Sequence, residues 1–410
     1  MSKIRIKNFG PIKEGYQEND GWIDIKKVTV FIGNQGSGKS TAAKLISTFM
    51  WLEKALIRGD MKTPVSYQDF IELIKFHRLE NYLQVNSEIE YEGTAYKLKL
   101  KNNTIERIIE AEALEKQVVN LPKIMYVPAE RNFLSSIENI NKVSDLIVGS
   151  LKNYAVEFRN AQFANKDKAI ELPINNTKIV YNPKDDENYL EFDGKRLKLA
   201  HASSGFHSLV PLHWITKYLI DFINQSGKDL LELLSTDQTV RRNNELKRLN
   251  SLGLEEEELR TREKKINDKY VCKYLVNIVE EPEQNLFPSS QKQMLFSLLE
   301  FNNKKAGNKL IMTTHSPYLL IYLTLCVEAN RLNQKANTED IKSRLSAIVP
   351  LTSIIDGNNL VIYQLNEITG KIKKLNDYRG LPSDENELNN GLADANDEFS
   401  KLLDLEDLCQ

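Results

Sequence analysis

Three stretches of the chain are apolar almost without interruption: VTVFI (Val28–Ile32), YLVNIV (Tyr274–Val279) and KLIMTT (Lys309–Thr314). Rich in β-branched residues and lacking polar alternation, they predict strands buried on both faces of a sheet. Tyr126-Val127-Pro128 ends another core strand. Between these runs the period changes. Ala43, Ile46, Phe49 and Met50 recur at helical spacing from Ala42 to Leu56, as do Leu209, Leu212, Ile215, Leu219 and Phe222 farther on. SYQDFIELIKFHRL is also helix-like. Hairpins are predicted from Glu88 to Leu100 about Glu92-Gly93, in YLEFDGKRLKL about Asp193-Gly194, and from Leu360 to Leu375. Alternating strands and helices predict an α/β fold.

Two stretches break this pattern. Residues 226–268 carry LLELL, RRNNELKRLN and LEEEELRTREKK, which fit two amphipathic helices joined near Gly253 in a short antiparallel hairpin. A solvated protrusion and a contact for another chain suit it equally. Residues 383–410 hold nine acidic residues against Lys401, with Phe399, Leu402, Leu403, Leu405 and Leu408 as an apolar stripe. That tail is either solvated or a dock for a partner or a neighbouring copy.

With 410 residues, 41 % hydrophobic and 27 % charged, the chain can fill a large core, which excludes wholesale disorder. A net charge of -2 removes any global pull on nucleic acid or anionic membrane. Contact with nucleic acid stays open, since Lys371-Ile372-Lys373-Lys374 offers a local patch. Three scattered cysteines without a CxxC pair fit neither a disulfide framework nor a zinc site. MSKIRIKNFG has no long apolar stretch and no run of about 18 apolar residues follows, so a cytoplasmic protein without a membrane span is expected. His201, His207 and His213 recur every sixth residue, which puts them on different helical faces and argues against a metal triad.

The chemistry begins after the first buried run. Gly33-Asn34-Gln35-Gly36-Ser37-Gly38-Lys39-Ser40-Thr41 satisfies G-x-x-x-x-G-K-[ST], between a strand and a helix as the motif requires. Its glycines let the backbone curl around phosphates and aim successive N–H groups inward at a helix N-terminus. Lys39 would reach the β- and γ-phosphates, and Ser40 would offer a hydroxyl to Mg²⁺. ATP with Mg²⁺ is the expected ligand pair.

The second buried run ends in Glu280-Glu281-Pro282-Glu283. Glu280 would hold Mg²⁺ through water, and Glu281 would orient and polarise the attacking water. The third run leads into His315-Ser316-Pro317, where His315 could contact the γ-phosphate and Pro317 can open a helix. In Ala202-Ser203-Ser204-Gly205-Phe206, Ser203 and Ser204 are N-cap candidates with free amides for an anion.

Taken in order, Asn8-Phe9-Gly10-Pro11-Ile12, FIGNQGSGKST, YVPAERN, ASSG, VEEPEQNLFP and TTHSP resemble the ABC/SMC-type ATPases. Within that AAA superfamily the order matches the subset related to OLD-family proteins and the ATPases of bacterial anti-phage defence. The motifs span residues 3 to about 325. The resemblance implies an ABC-type P-loop NTPase head with a mixed sheet, a helical lobe and a short helical-hairpin insertion. It divides the chain into 1–225 (first part of the core with the lobe), 226–268 (hairpin), 269–382 (second part of the core) and 383–410 (tail). It also implies ATP sandwiched between two protomers, with Ser203 and Gly205 in the signature loop that caps the neighbour's γ-phosphate. Ala202, Ser204 and Phe206 depart from the LSGGQ pattern. Gln284-Asn285-Leu286 matches the D-loop, and either Glu130 or Arg131 stands in the Q-loop position.

OLD-type proteins carry a Toprim nuclease after the ATPase, but only 95 residues follow His315 and no glutamate-plus-DxD pattern lies among them. Effector chemistry is therefore expected on another chain. The leading expectation is a homo-oligomer, with a hexamer as one candidate size, that hydrolyses ATP and restrains a Toprim-type nuclease subunit until a phage-encoded trigger protein arrives. The alternative is an SMC- or RecF-like ATPase of DNA repair or chromosome maintenance. A transporter's nucleotide-binding subunit suits the altered signature and the EEPE sequence poorly.

Overall fold

The computed structural model describes residues 2–101, 104–108, 120–137, 147–225, 231 and 236–408. Most of LLELL, and Cys409, lie outside them, as do the tail side chains from Glu406 onward.

A seven-stranded mixed sheet forms the centre. Its strands are β2 (Gly15–Tyr16), β4 (Val28–Gly33), β8 (Leu121–Val127), β13 (Cys272–Glu280), β14 (Lys309–Thr314), β15 (Leu360–Leu365) and β16 (Lys371–Lys374), in the order β2-β16-β15-β4-β14-β13-β8. From β15 to β8 all neighbours are parallel; β16 runs antiparallel to β15. β4 is buried at every position because both sheet faces are covered. Val28, Val30 and Ile32 face one core, and Phe31 faces the other. That two-sided burial is why the apolar runs do not alternate.

The first core is closed by α4 (Ser204–Ile223), α7 (Pro288–Asn303) and α8 (Pro317–Asn333). The second is closed by α1 (Lys39–Arg58) and by a five-stranded antiparallel sheet of β1 (Ser2–Phe9), β3 (Ile23–Ile25), β5 (Leu83–Glu92), β6 (Lys97–Lys101) and β7 (Thr104–Ile108), in the order β3-β1-β5-β6-β7. The hairpin turning after Glu92 is part of this sheet, joining β5 to β6 (Lys97–Lys101).

The region from 133 to 200, expected as a helical lobe, contains α3 (Gly149–Ala164) and a four-stranded antiparallel sheet in the order β12-β11-β10-β9, with β9 at Ile170–Glu171 and β12 at Lys195–Lys198. Its central pair, β10 (Lys178–Asn182) and β11 (Glu187–Phe192), buries Ile179, Tyr181 and Leu190 on one face and leaves the residues between them partly exposed. The hairpin predicted in YLEFDGKRLKL is its β11–β12 pair, turning at Asp193-Gly194, both at positive φ.

The charged stretch forms α5 (Thr236–Asn250) and α6 (Glu256–Tyr270), which turn at Gly253, φ +63°. Glu245 accepts from Lys269 (2.9 Å) and the Tyr270 hydroxyl (2.9 Å), pinning one helix to the other. Arg58, at the end of α1, donates to the Lys269 carbonyl at 3.1 Å. The tail forms α10 (Glu387–Leu408); α9 (Glu339–Ile348) precedes β15. Among the described residues no helix is long and apolar enough to cross a membrane.

Candidate nucleotide site

β4 ends at Gly33 with φ +140°, where a Cβ would sit 2.2 Å from the Leu365 carbonyl oxygen. Gly38 caps α1 at φ +100°, and a Cβ there would press on Ile12 at 2.9 Å. Only glycine fits either place, and the Asn8–Ile12 turn thus abuts the loop it precedes in sequence. Lys39 is 5 % exposed, and its ammonium donates to the carbonyls of Gly33 and Asn34, both at 2.8 Å. Burial pushes its pKa down to about 8, against the opposing pull of Glu281 and Glu283. The Ser37 hydroxyl is buried without a partner. Asn34 donates to Glu367 at 3.0 Å, its side-chain oxygen accepts from the Gln35 amide at 2.8 Å, and Gly36 stands at the open tip of the loop. Ser40 is half-buried and Thr41 buried in the first turn of α1.

β13 carries the acidic pair to the same edge of the sheet. Glu280 accepts from the Tyr126 hydroxyl (2.6 Å) and the Ala129 amide (3.0 Å), with the Lys44 ammonium 3.9 Å away. The chain then turns sharply: Glu281 adopts φ +43°, which costs a non-glycine residue on the order of 1 kcal/mol or more. Its amide bonds the Thr313 carbonyl at 2.9 Å, and its carboxylate lies 3.5 Å from His315 Nε2. The His315 ring holds that carboxyl below the usual carboxylate range, while burial works the other way. Glu283 is half-buried, but its carboxyl is enclosed and pushed up by that burial; it accepts from the Thr314 hydroxyl and the His315 amide, both at 2.8 Å. The turn before α8 is thereby tied to the end of β13.

Arg131 joins the parts. It is fully buried, and its guanidinium meets only backbone carbonyls: Ser208 (3.1 Å), Glu280 (2.7 Å), Glu281 (2.6 Å) and Pro128 (3.4 Å). Three segments distant in sequence converge on that one planar group.

The signature-like loop is built differently. Ser203 is the N-cap of α4 but its hydroxyl bonds none of the helix's first amides, and both Ser203 and Ser204 are exposed. Gly205 stands where a Cβ would come 3.0 Å from the Asn285 carbonyl oxygen, and Asn285 donates to the Ser208 hydroxyl at 3.0 Å. The signature and D-loop positions are therefore locked to each other. Among the described residues no hydrogen bond is recorded between Ser203 or Gly205 and residues 33–41.

A family model, the AAA ATPase domain (AAA_15), matches residues 246–320, a span that includes the acidic pair and His315. The chain is a P-loop ATPase. No curated protein matches it. Among solved structures it is similar to an SMC head domain from Thermotoga maritima, at 10 % identity and TM-score 0.37, covering 92 % of this chain and 98 % of that one. It is also similar to a nucleotide-free ATP-binding cassette from an ABC transporter, at 13 % identity and TM-score 0.29, covering 93 % of each. At such values these likenesses carry no argument.

In this ATPase, then, Lys39, Glu281 and His315 are gathered in one corner, with Glu280 beside them on β13. The buried lysine, the orphaned Ser37 hydroxyl and the glycine-walled cradle fit a triphosphate. Ser40 and Glu280 are oxygen donors that suit a hard cation such as Mg²⁺. The histidines at 201, 207 and 213 form no cluster: His207 faces the Leu199 carbonyl (2.9 Å) and His213 the Ser297 hydroxyl (3.0 Å). Of the two residues left open in PAER, Arg131 is the buried clamp and Glu130 is exposed. Tyr126 and Glu283 went unnoticed as parts of the site. The YVPAERN and EEPE strings contained them, but their pairings, Tyr126 with Glu280 and Glu283 with Thr314, join residues far apart in sequence.

Proposed function

We propose that this ATPase is the switch and scaffold of a two-component anti-phage system: a homo-oligomer with ATP sites shared between adjacent copies, restraining a separate Toprim-type nuclease. A phage-encoded trigger protein would release that nuclease. The observation that carries the shared site is the exposed, unbonded Ser203 on a chain whose Lys39–Glu281–His315 corner is otherwise tied together. A helix N-terminus with free donors suits the γ-phosphate of a neighbour's nucleotide. The nuclease partner is supported by the motif order, which resembles the ATPase subunit of the PARIS defence system.

In the proposed reaction water attacks the γ-phosphorus as the bond to the ADP oxygen breaks. Glu281 orients that water and accepts its proton, and His315 keeps Glu281 ionised and aimed. Lys39 and the loop amides take up charge on the leaving side, while Ser203 and Gly205 of a neighbouring copy face the transferred group. Mg²⁺, on Ser40 and through water on Glu280, would neutralise phosphate charge.

The test is the mass of Glu281→Gln protein by light scattering with and without ATP. ATP-dependent assembly is expected; a wild-type chain that stays solitary while turning ATP over rapidly overturns the shared site. Co-expression with a Toprim-type nuclease tests the partner: co-purification and suppressed toxicity are expected. A second reading, an SMC- or RecF-like DNA ATPase, is favoured by one feature, the groove of Arg58, Arg241, Arg248 and Lys269. Stimulation of turnover by duplex DNA would favour it.

A further inference from the structure

The tail helix and the helical hairpin carry complementary surfaces. α10 is rooted beside the nucleotide loop: Asn386 is buried and caps its first amides (Leu388 and Asn389, 3.1 Å each), and the Glu387 amide donates to Gln364 at 3.1 Å. Leu388 packs on the main core. Farther along, none of the described side chains of the helix has a hydrogen bond or ion pair to another element. Phe399, Leu402 and Leu403 lie on one face at helical spacing, 61 %, 62 % and 47 % exposed. Asp394 and Glu398, four residues apart, flank that face.

At the opposite end of α1, about 30 Å away at 1.5 Å per residue, lies a groove of about 430 Å³ between α1 and α5. Arg58, Arg241, Arg248 and Lys269 line it with Leu56 and Ile57; Arg241 pairs with Asp60 (2.5 Å) and Lys269 with Glu245 (2.9 Å), leaving a surplus of positive charge at Arg58 and Arg248. Val240, 53 % exposed, lies one helical turn before the groove-lining Asn244 on α5. Arg248 is exposed and forms no ion pair with another described residue.

We infer that the outer part of α10 from one copy seats in this Arg-lined groove of a second copy. The groove offers cations and an apolar floor together, and an acidic amphipathic helix supplies both complements. Two α10 helices pairing with each other would instead oppose carboxylates. Nucleic acid would match the cations but leave Leu56, Ile57 and Val240 unmatched. Because α10 is rooted beside Lys39, the helix would link the nucleotide loop of one copy to the far end of α1 in the next.

The contact is read without nucleotide, which separates it from the shared ATP site. Sedimentation of the full chain should show association that is lost on deleting residues 387–410. It should weaken roughly tenfold or more in Arg248→Glu. Adding Glu398→Arg to Arg248→Glu should restore it to within about threefold. Chains lacking the tail, mixed with Arg248→Glu chains, should recover mixed pairs, since one supplies the groove and the other the tail. Failure of both the charge swap and the mixing overturns the inference. So does an Arg248→Glu chain that associates normally but no longer binds a labelled 30-base-pair duplex.

Discussion

The corner holding Lys39, Glu281 and His315 and the loop holding Ser203 differ in what their polar groups touch. In the corner almost every group is answered within the chain. Lys39 bonds two carbonyls, Glu280 a hydroxyl and an amide, Glu281 faces a histidine, and Arg131 bonds carbonyls from three segments. At the loop, Ser203 and Ser204 face outward and the hydroxyl that could cap α4 does not. Buried polar groups must be satisfied where they stand, whereas exposed ones can wait for a second molecule. On the shared-site proposal, the corner's geometry is set by folding alone and the loop's contribution waits on assembly.

The largest break in that contrast comes from Lys39→Ala. Removing the one buried cation from the cradle should cost about 10³-fold in kcat/KM and weaken ATP binding strongly. Steady-state turnover with a nucleotide-binding titration checks it. Unchanged ATP affinity would mean that the loop does not hold the phosphates.

Glu281→Gln sharpens the corner from inside. It keeps size and hydrogen bonding to His315 but removes the base, so kcat should fall about 10² to 10³-fold with ATP affinity kept. Loss of affinity as well would show that Glu281 mainly positions the loop through its strained backbone turn.

These two residues were legible because their signals are local. A P-loop is nine consecutive residues, and an acidic pair that ends an apolar run announces a strand end. The continuous runs were legible for a related reason, since burial on both faces suppresses alternation in β4, β13 and β14. The five-stranded sheet was mostly hidden. β1 reads SKIRIKNF, with charges at every second position, and its partner residues Ile89 and Tyr91 lie more than eighty positions away. Arg131 was ambiguous for another reason: its partners are carbonyls, which every residue has.

Arg131→Met tests how far the corner depends on that clamp. The substitution roughly keeps the volume but strands the Glu280, Glu281 and Ser208 carbonyls in a buried site. Stability should fall by about 3 kcal/mol, because unsatisfied buried acceptors cost more than the lost bonds themselves. Thermal unfolding of the nucleotide-free protein checks it. A neutral result would mean that the carbonyls find water, and that the corner is held by Glu283 and Tyr126 instead.

The smallest expected effect lies on the other side of the comparison. Ser203→Ala removes an exposed hydroxyl with no partner in its own chain, so stability should hold. Turnover should fall about tenfold, and only at concentrations where copies associate. A loss of equal size in solitary chains would place Ser203 in its own corner and erase the contrast. Mixing gives the sharper version. Lys39→Ala chains retain the loop, and Ser203→Ala chains retain the corner. If one site needs one of each, mixed pairs contain one competent site, and about a quarter of all sites in an equal mixture should work. Activity above the sum of the two separate variants then follows from geometry alone, because neither chain can supply both halves.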